Sequence, residues 1–327
     1  MAADTNITMT TDIQVEARRI DFVSSFTKTW QALTQIMGVT RPIKKAPGTV
    51  LKSYRAELTL EDGNIGEGEK IPFSKATVTE VAHADLEIEK YGKAITIEDV
   101  DQYGPEVAIE KTDEAFRNEL LNKILGEFYD FALTGTLTEN ATDFQMGVAL
   151  AIGSVKNKFK SLRLDGSRVV LYVNTMDAYK YLGAANLTIQ SEFGIEYVKN
   201  FMGAETMILA AEEDIPSGTI LAIPVNNIID YYADPSNSGF ARMGLRYTVD
   251  AKAPMLGFAT EGDYSTATGN SWAIMGHKLW AEYLDAIAVV TVSEAGSGDE
   301  GSGDEGSGGE DAGGEDAGGE DENGAGA

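Results

Sequence analysis

The sequence lacks the residues on which most enzyme sites depend. It contains no cysteine and two histidines, His83 and His277, in 327 residues. The absence of cysteine excludes disulfide bonds and thiolate metal sites, although it says little about compartment. The chain has no Gly-x-Ser-x-Gly elbow, phosphate-binding loop or dinucleotide motif, and neither histidine has a catalytic signature around it. We therefore expect no catalytic residue, no cofactor and no metal site, and structural or solvated roles for both histidines.

The sequence also lacks a long apolar run. No segment approaches the roughly 18 consecutive apolar residues of a membrane-crossing helix, and Met1–Thr5 does not begin the basic and then apolar order of a signal peptide. The expectation is a soluble protein that is made inside the cell and has no membrane partner.

Positive charge is scarce. The chain has 26 Lys and Arg against 52 Asp and Glu, so its formal net charge is −26. Residues 295–327 consist of Gly, Ala, Ser, Asn, Asp and Glu alone, and removing their 11 acidic charges leaves −15 for residues 1–294. Such a body argues against a sequence-specific nucleic-acid reader, because phosphate binding depends on Lys and Arg. A small cationic cluster at the end of one predicted helix suits the helix dipole and is expected to act locally: Lys156, Lys158, Lys160 and Arg163.

The longest helical pattern runs from Pro105 to Thr134. Pro105 suits the first position of a helix, where a missing N–H costs nothing, and Gly135 suits its end. At about 1.5 Å per residue, such a helix spans roughly 45 Å. Apolar residues recur in it at spacings of four and seven, and these are expected to form its core-facing stripe: Ile109, Phe116, Leu120, Ile124 and Phe128.

Before this helix, the period of the pattern changes to two, which is typical of strands. Glu61–Glu69 forms an acidic, Gly-rich tip, and it does not fit a calcium loop because the sixth and twelfth positions would be Glu67 and Phe73. A two-stranded hairpin is marginal in water, so this one is expected to lie on a partner surface. The alternating positions are Tyr54, Ala56, Leu58 and Leu60 on the outgoing run, and Ala82, Ala84, Leu86 and Ile88 on the return run.

The rest of the chain mixes helices and strands of unequal length, which favours an α+β fold. Amphipathic patterns predict helices over Phe22–Met37 and Phe144–Phe159. Asn174 is expected to cap a short helix that stops at Gly183, and loop-rich sequence is expected to reach Asn270. The predicted buried strands are Arg168–Val173, Thr206–Leu209, Thr219–Ile223, Trp272–Met275 and Ala286–Val292.

In this order of parts, the chain resembles tailed-bacteriophage major capsid proteins of the Hong Kong 97-type fold. The stretches that look most like that family are Lys90–Asp99, which leads into the long helix, Gly218–Pro224, and Trp280–Val290. The resemblance covers roughly residues 10–294. It rests on the succession of arm, hairpin, long helix and mixed unit, not on one motif.

The resemblance implies four parts. These are an N-terminal arm, 1–40; an extended β-hairpin loop, 41–93; a peripheral domain with the long spine helix, 94–165 and 271–294; and an axial domain, 166–270. The acidic Gly-rich tail, 295–327, lies outside the family's usual pattern, and its composition predicts a disordered appendage. Lys70 and Lys75 lie in the hairpin, but the Asn and Glu partners of the family's covalent crosslink have no match, so no crosslink is inferred. The hairpin would reach across a neighbouring subunit, and the inferred interface residues are Tyr54, Leu58, Leu60, Ile65, Glu67, Lys70, Phe73, Leu86 and Ile88.

The same resemblance implies a structural function without catalysis. Copies would assemble as homo-pentamers and homo-hexamers into an icosahedral virion capsid around double-stranded phage DNA, without sequence-specific DNA contacts. The subunits would be made in the bacterial cytoplasm. Because few residues precede the hairpin, a separate scaffolding protein is expected, and portal and head-decoration proteins are further implied partners.

Two alternatives remain open at this point. An encapsulin-like nanocompartment shell would have the same fold but hold enzyme cargo. From a different class, an unrecognised hydrolase or lectin-like binding domain would require a large defined pocket with a shifted carboxylate pair.

Overall fold

The computed structural model describes residues 35–46, 49, 51–82, 85–165, 168–185, 189–192, 195–250 and 253–293. All of them belong to a compact unit that ends at Ser293. His83, the predicted helix residues from Phe22 to Leu33, and the acidic tail 295–327 lie outside the described residues.

The described chain combines five α-helices with sixteen strands. The helices are α1 (Ile97–Tyr103), α2 (Thr112–Leu133), α3 (Phe144–Ser161), α4 (Thr175–Ala185) and α5 (Ser238–Arg242), and a π-helical turn, Glu106–Lys111, leads directly into α2. The strands are β1 (Thr40–Lys45), β2 (Lys52–Thr59), β3 (Lys75–Ala82), β4 (Glu89–Thr96), β5 (Leu137–Ala141), β6 (Val169–Asn174), β7 (Gln190–Glu192), β8 (Ile195–Lys199), β9 (Thr206–Ala210), β10 (Thr219–Pro224), β11 (Ile228–Ala233), β12 (Thr248–Asp250), β13 (Ala253–Asp263), β14 (Thr268–Met275), β15 (His277–Ala281) and β16 (Ala288–Val292).

A seven-stranded mixed sheet, in the order β5-β16-β10-β6-β9-β8-β7, is packed on both faces. Val170 and Tyr172 of β6 join the core that contains α2, whereas Val169, Leu171 and Val173 join the core that contains α3 and α4. Because neighbouring residues of a strand point to opposite faces, a strand covered on both faces reads as a continuous apolar run. The predicted buried strand over Arg168–Val173 is confirmed for this reason.

Three smaller sheets complete the fold. Strands β12-β13-β14-β4 form an antiparallel sheet, β1-β11-β15 form a three-stranded sheet, and β2 pairs with β3. The expected loop-rich stretch up to Asn270 is wrong, since it contains β11, β12 and the eleven-residue β13. β13 contains a glycine, Gly257, because the backbone there packs so closely that a Cβ would lie 2.5 Å from the Pro235 Cβ. The glycine interrupts the apolar pattern of the strand, so the strand could not be predicted from its side chains.

The long helix is confirmed, with a change of register at its start. The helical run reaches from Pro105 to Leu133, and Leu120, Ile124 and Phe128 are buried while Phe116 packs against the same core. Ile109, by contrast, is 40% exposed, and Ala108 is buried in its place.

The π-helical turn explains this displacement. A π-helical turn contains one residue more than an α-helical turn. Counting back two regular turns from Phe116 gives Ile109, but the extra residue moves the core-facing position to Ala108. Ile109 therefore does not belong to the core-facing stripe.

Gly135 ends α2 for a different reason than expected. Its φ is not among the positive values, so it is not a left-handed cap. A Cβ on Gly135 would lie 2.6 Å from the carbonyl oxygen of Ile287, which leads into β16. The glycine is required because the end of the helix touches the backbone of the central sheet.

The predicted stop of α4 at Gly183 is wrong, since α4 continues to Ala185 and an isolated glycine costs a helix only about 1 kcal/mol.

The sheets divide the chain differently from the expected domain limits. β1 and β4 overlap the two ends of the segment 41–93, but they pair with strands of the body, so the free hairpin is confined to β2, β3 and their connection. The return strand is Lys75–Ala82, earlier than the alternating run Ala82–Ile88. The axial limits 166–270 also need correction, because the central sheet takes in β5 and β16 while β11 to β13 pair elsewhere.

Candidate assembly surface

The β2–β3 hairpin presents an apolar face that no described residue covers. Its register pairs Leu58 with Ala76 and Ala56 with Val78, and paired residues point to the same face. Leu58 is 56% exposed and Val78 is 61% exposed. The opposite face carries Thr59, Lys75 and Thr77. In its outer half, 56–59 and 75–78, the hairpin is therefore apolar on one side and polar on the other, although both sides face solvent in the single chain.

The connection between β2 and β3 continues the apolar surface. Leu60 and Ile71 are exposed, and Phe73 is 87% exposed. Local hydrogen bonds shape this connection. The backbone N–H of Asn64 donates to Asp62 Oδ1 at 2.9 Å, and that of Glu61 donates to Ser74 Oγ at 3.1 Å. The connection is thus held by hydrogen bonds among its own polar groups, and its large apolar side chains are exposed to solvent.

The inferred interface residues fall into three groups. Leu58, Leu60, Glu67, Lys70 and Phe73 are exposed on the hairpin and its connection, where a partner could reach them. Ile65 and Ile88 are half-buried, and Leu86 is buried by its own chain, so Leu86 is not accessible and that assignment needs correction. The side chain of Tyr54 lies outside the described ones.

Two exposed apolar residues were missed, Ile71 and Val78. The signal for Val78 was present in Thr77–Val81, where four of the five residues are β-branched, as is typical of strands. The return strand was instead predicted over the alternating run from Ala82 to Ile88, which lies later in the chain than Val78.

A second apolar surface lies on the body beside α2. Phe116, Phe258 and Trp272 line a groove of about 500 Å³ together with Arg117. Trp272 is 47% exposed and pairs across the strands with Gly92. Aromatic and arginine side chains of this kind are the ones that most often anchor protein interfaces.

The cationic cluster of α3 is partly engaged within the chain. Lys156 Nζ donates to the carbonyl oxygen of Gly203 at 3.0 Å, and Lys158 Nζ lies 2.6 Å from Asp285 Oδ2. These contacts agree with the predicted local role.

The chemistry available to an enzyme is sparse in the described part of the chain. No group of three or more His, Asp or Glu side chains there is arranged to hold a metal ion. The side chain of His277 is buried between the carboxylates of Glu127 and Asp230. Among the same residues, no helix has the length and hydrophobicity needed to cross a membrane.

No protein-family model and no curated protein matches the sequence. Solved structures do match. A chain from the capsid of the cyanophage P-SCSP1u aligns with a TM-score of 0.55 at 10% identity, over 87% of this chain and 94% of that one.

Two further structures agree with this match. The mature capsid of bacteriophage PhiM1 aligns with a TM-score of 0.54 at 8% identity, over 89% of this chain and 97% of that one. A chain of Mycobacterium phage Che8 aligns with a TM-score of 0.51 at 10% identity, over 80% and 90% of the two chains. The chain therefore has the fold of tailed-phage capsid proteins, and the α+β fold class and the resemblance found in the sequence are confirmed. At this level of identity the likeness establishes the fold alone.

Proposed function

We propose that this protein is the major capsid protein of a tailed phage, which self-assembles into pentamers and hexamers of an icosahedral shell around double-stranded DNA. The observation that carries the proposal is the β2–β3 hairpin, whose apolar face is uncovered in the single chain. An isolated two-stranded hairpin is marginal in water, and exposed apolar patches mark interaction sites. Because the fold is that of capsid proteins, the partner of this apolar face is a second copy of the same chain.

The hairpin reaches its partner by a head-to-tail contact. The exposed face at Leu58 and Val78 and the groove at Phe116 and Trp272 are two different surfaces of the same chain. A contact between two different surfaces closes into rings when its rotation allows, and rings are the units of a shell. The hairpin of one copy is accordingly proposed to bind in this groove of a neighbouring copy.

The remaining parts of the proposal follow from this role. The protein resides in the virion capsid after synthesis in the bacterial cytoplasm, and it assembles on a separate scaffolding protein. Portal and head-decoration proteins are further partners. The net charge of −15 on residues 1–294 supports an interior that holds DNA without binding it tightly or by sequence. No catalytic step is part of this function.

The first test is the state of the purified protein, examined by negative-stain microscopy and light scattering with and without a co-expressed scaffolding protein. Closed shells, or pentamers and hexamers, are expected. A stable monomer under every condition, with the hairpin intact, would overturn the proposal. Particles recovered from the source cells distinguish a genome, as proposed, from the enzyme cargo of an encapsulin-like shell.

A matched pair of variants tests the hairpin itself. Leu58→Asp with Val78→Asp places two charges on the apolar face, whereas Thr59→Asp with Thr77→Asp places the same two charges on the opposite face. All four side chains are exposed, so both variants are expected to keep the thermal stability of the parent chain. The first pair is expected to abolish shells and the second to retain them. Equal assembly by both variants would contradict the role of this face.

A further inference from the structure

His277 lies where three parts of the fold meet. It opens β15, and its side chain is 2% exposed. The Nε2 atom lies 2.9 Å from Glu127 Oε2 of α2, and the Nδ1 atom lies 3.3 Å from Asp230 Oδ1 of β11. Neither contact is aligned well enough to be a hydrogen bond, so both act as ion pairs. The imidazole therefore joins the long helix to the β1-β11-β15 sheet through charge.

The surroundings keep the imidazole protonated. Burial lowers the pKa of His277, but the carboxylates of Asp230 and Glu127 outweigh burial and raise the pKa from its ordinary 6.5 to about 9. The contact with His277 in turn lowers the pKa of Glu127 to about 2, against the opposing effect of burial and with help from Lys123. At neutral pH the site thus holds a charged imidazolium against the ionised carboxylate of Glu127.

The base of the hairpin packs directly beside this site. Residues 85–88 lead from β3 to β4, and a Cβ on Gly276 would lie 3.0 Å from the Glu87 carbonyl oxygen and 3.5 Å from Ile88 Cγ1. The absence of a side chain at Gly276, next to His277, is what allows this approach. Lys123 extends the connection, since its Nζ lies 2.7 Å from Glu127 Oε1 and 3.4 Å from Glu89 Oε2 of β4.

The charges around the imidazole are unbalanced. The hairpin base, α2 and β15 together line a groove of about 530 Å³. The charged groups that line it are Asp85 and Glu87 of the hairpin base, Glu89 of β4, Glu127 and Asp130 of α2, and His277 and Lys278 of β15. Lys123 of α2 contacts Glu89 and Glu127, and Asp230 of β11 contacts His277. Three cations therefore oppose six carboxylates. Loss of the imidazolium removes one of the three and increases repulsion between α2 and the hairpin base.

We propose that His277 is a charge-dependent latch, which holds the base of the β2–β3 hairpin against α2 while its imidazole is protonated and releases that base when the proton is lost. The latch is a property of the single chain and does not depend on the proposed shell. Because the pKa is raised above that of the unfolded chain, the stabilisation is complete below about pH 6.5 and is lost as the pH rises through about 9. In a shell, the same release would loosen the hairpin that joins neighbouring copies.

The test measures charge and mobility on the same sample. Deuterium exchange at the histidine C2 position, followed by mass spectrometry, reports the titration of each histidine in separate peptides, in free subunits or in assembled particles. His277 is expected to titrate near pH 9 and His83 is the internal comparison. Amide exchange, corrected for its intrinsic pH dependence, is expected to lose protection at residues 85–89 over the same range, while β13 keeps its protection. A midpoint for His277 below pH 7 would overturn the latch.

His277→Gln and His83→Gln extend the test to a fixed charge state. In His277→Gln, residues 85–89 are expected to exchange at neutral pH as they do above pH 9 in the parent chain. His83→Gln is expected to exchange as the parent does. If His277→Gln fails to fold, the reversible titration of the parent chain still decides, because unchanged protection of residues 85–89 between pH 7 and pH 10 contradicts the proposal.

Discussion

Some glycines of this protein are required because a neighbouring group packs where a side chain would lie. Gly92 of β4 lies opposite Trp272 of β14, and a Cβ on Gly92 would come 2.7 Å from Trp272 Cζ3. The indole therefore lies over the glycine, where it covers backbone that would otherwise be exposed. A side chain at this position must displace the ring.

Replacement of Gly92 tests this packing. Gly92→Ala is expected to lower the free energy of unfolding by about 1–3 kcal/mol, the usual cost of forcing an extra methyl group into a packed contact. The measurement is denaturant unfolding followed by tryptophan fluorescence, whose emission is expected to shift as the indole moves. Gly269→Ala, on the same pair of strands but with open space around it, is the control and is expected to change stability by less than about 0.5 kcal/mol. Equal effects would show that Trp272 does not rest on Gly92.

Residue roles that depend on neighbours in sequence were predictable, and those that depend on the fold were not. Asn174 caps α4 as expected, because its Oδ1 accepts the N–H of Met176 at 2.8 Å. The partners of His277 come from α2 and β11, which no pattern around His277 indicates. Its structural role was expected, but a buried ion pair follows only from the tertiary arrangement.

At the scale of elements, the start of the long helix decides which residues reach the core. In a regular helix, Ile109 would share the face of Phe116 and Leu120. With the π-helical turn, Ile109 is turned outward and Ala108 is buried. Stability measurements can distinguish these registers.

Ile109→Ala and Ile124→Ala form a matched pair on one helical run. Ile124→Ala removes a fully buried side chain and is expected to cost about 2–5 kcal/mol. Ile109→Ala is expected to cost less than about 1 kcal/mol, because the side chain is partly exposed. The difference is read from midpoints of denaturant unfolding at constant slope. A cost at Ile109 close to that at Ile124 would mean that the run begins as a regular α-helix.

Elements with strong periodic patterns were found, and elements interrupted by glycine or shaped by pairing were not. The stripe from Phe144 to Phe159 gave α3, since its apolar face lies on the central sheet. The strands β13 and β15 were not predicted, because the burial of their side chains changes along their length. The hairpin was predicted correctly in kind, but its return strand was placed too late. The apolar positions Leu86 and Ile88 of the alternating run are buried and half-buried by the chain itself and do not belong to a strand of the hairpin.

At the scale of the whole molecule, the order of parts carried more information than any motif. An uncovered hairpin followed by a long helix and a mixed unit indicated the capsid fold, although no family model matches the sequence. The sheet partners could not be derived from that order. β1 pairs with β11 and β4 with β14, so segments far apart in sequence share a sheet and the expected domain limits cut through it.

Net charge is the last property of the whole molecule that bears on assembly. Copies that carry −26 repel one another, and removing residues 295–327 lowers this charge to −15. If copies associate through the hairpin, the chain 1–294 is expected to assemble at lower salt than the full chain, because salt screens repulsion between like charges. Light scattering against sodium chloride concentration measures the shift. A full-length variant with the 11 acidic residues changed to Asn or Gln separates charge from length: it is expected to follow 1–294, and a curve matching the parent would show that charge does not set the salt requirement.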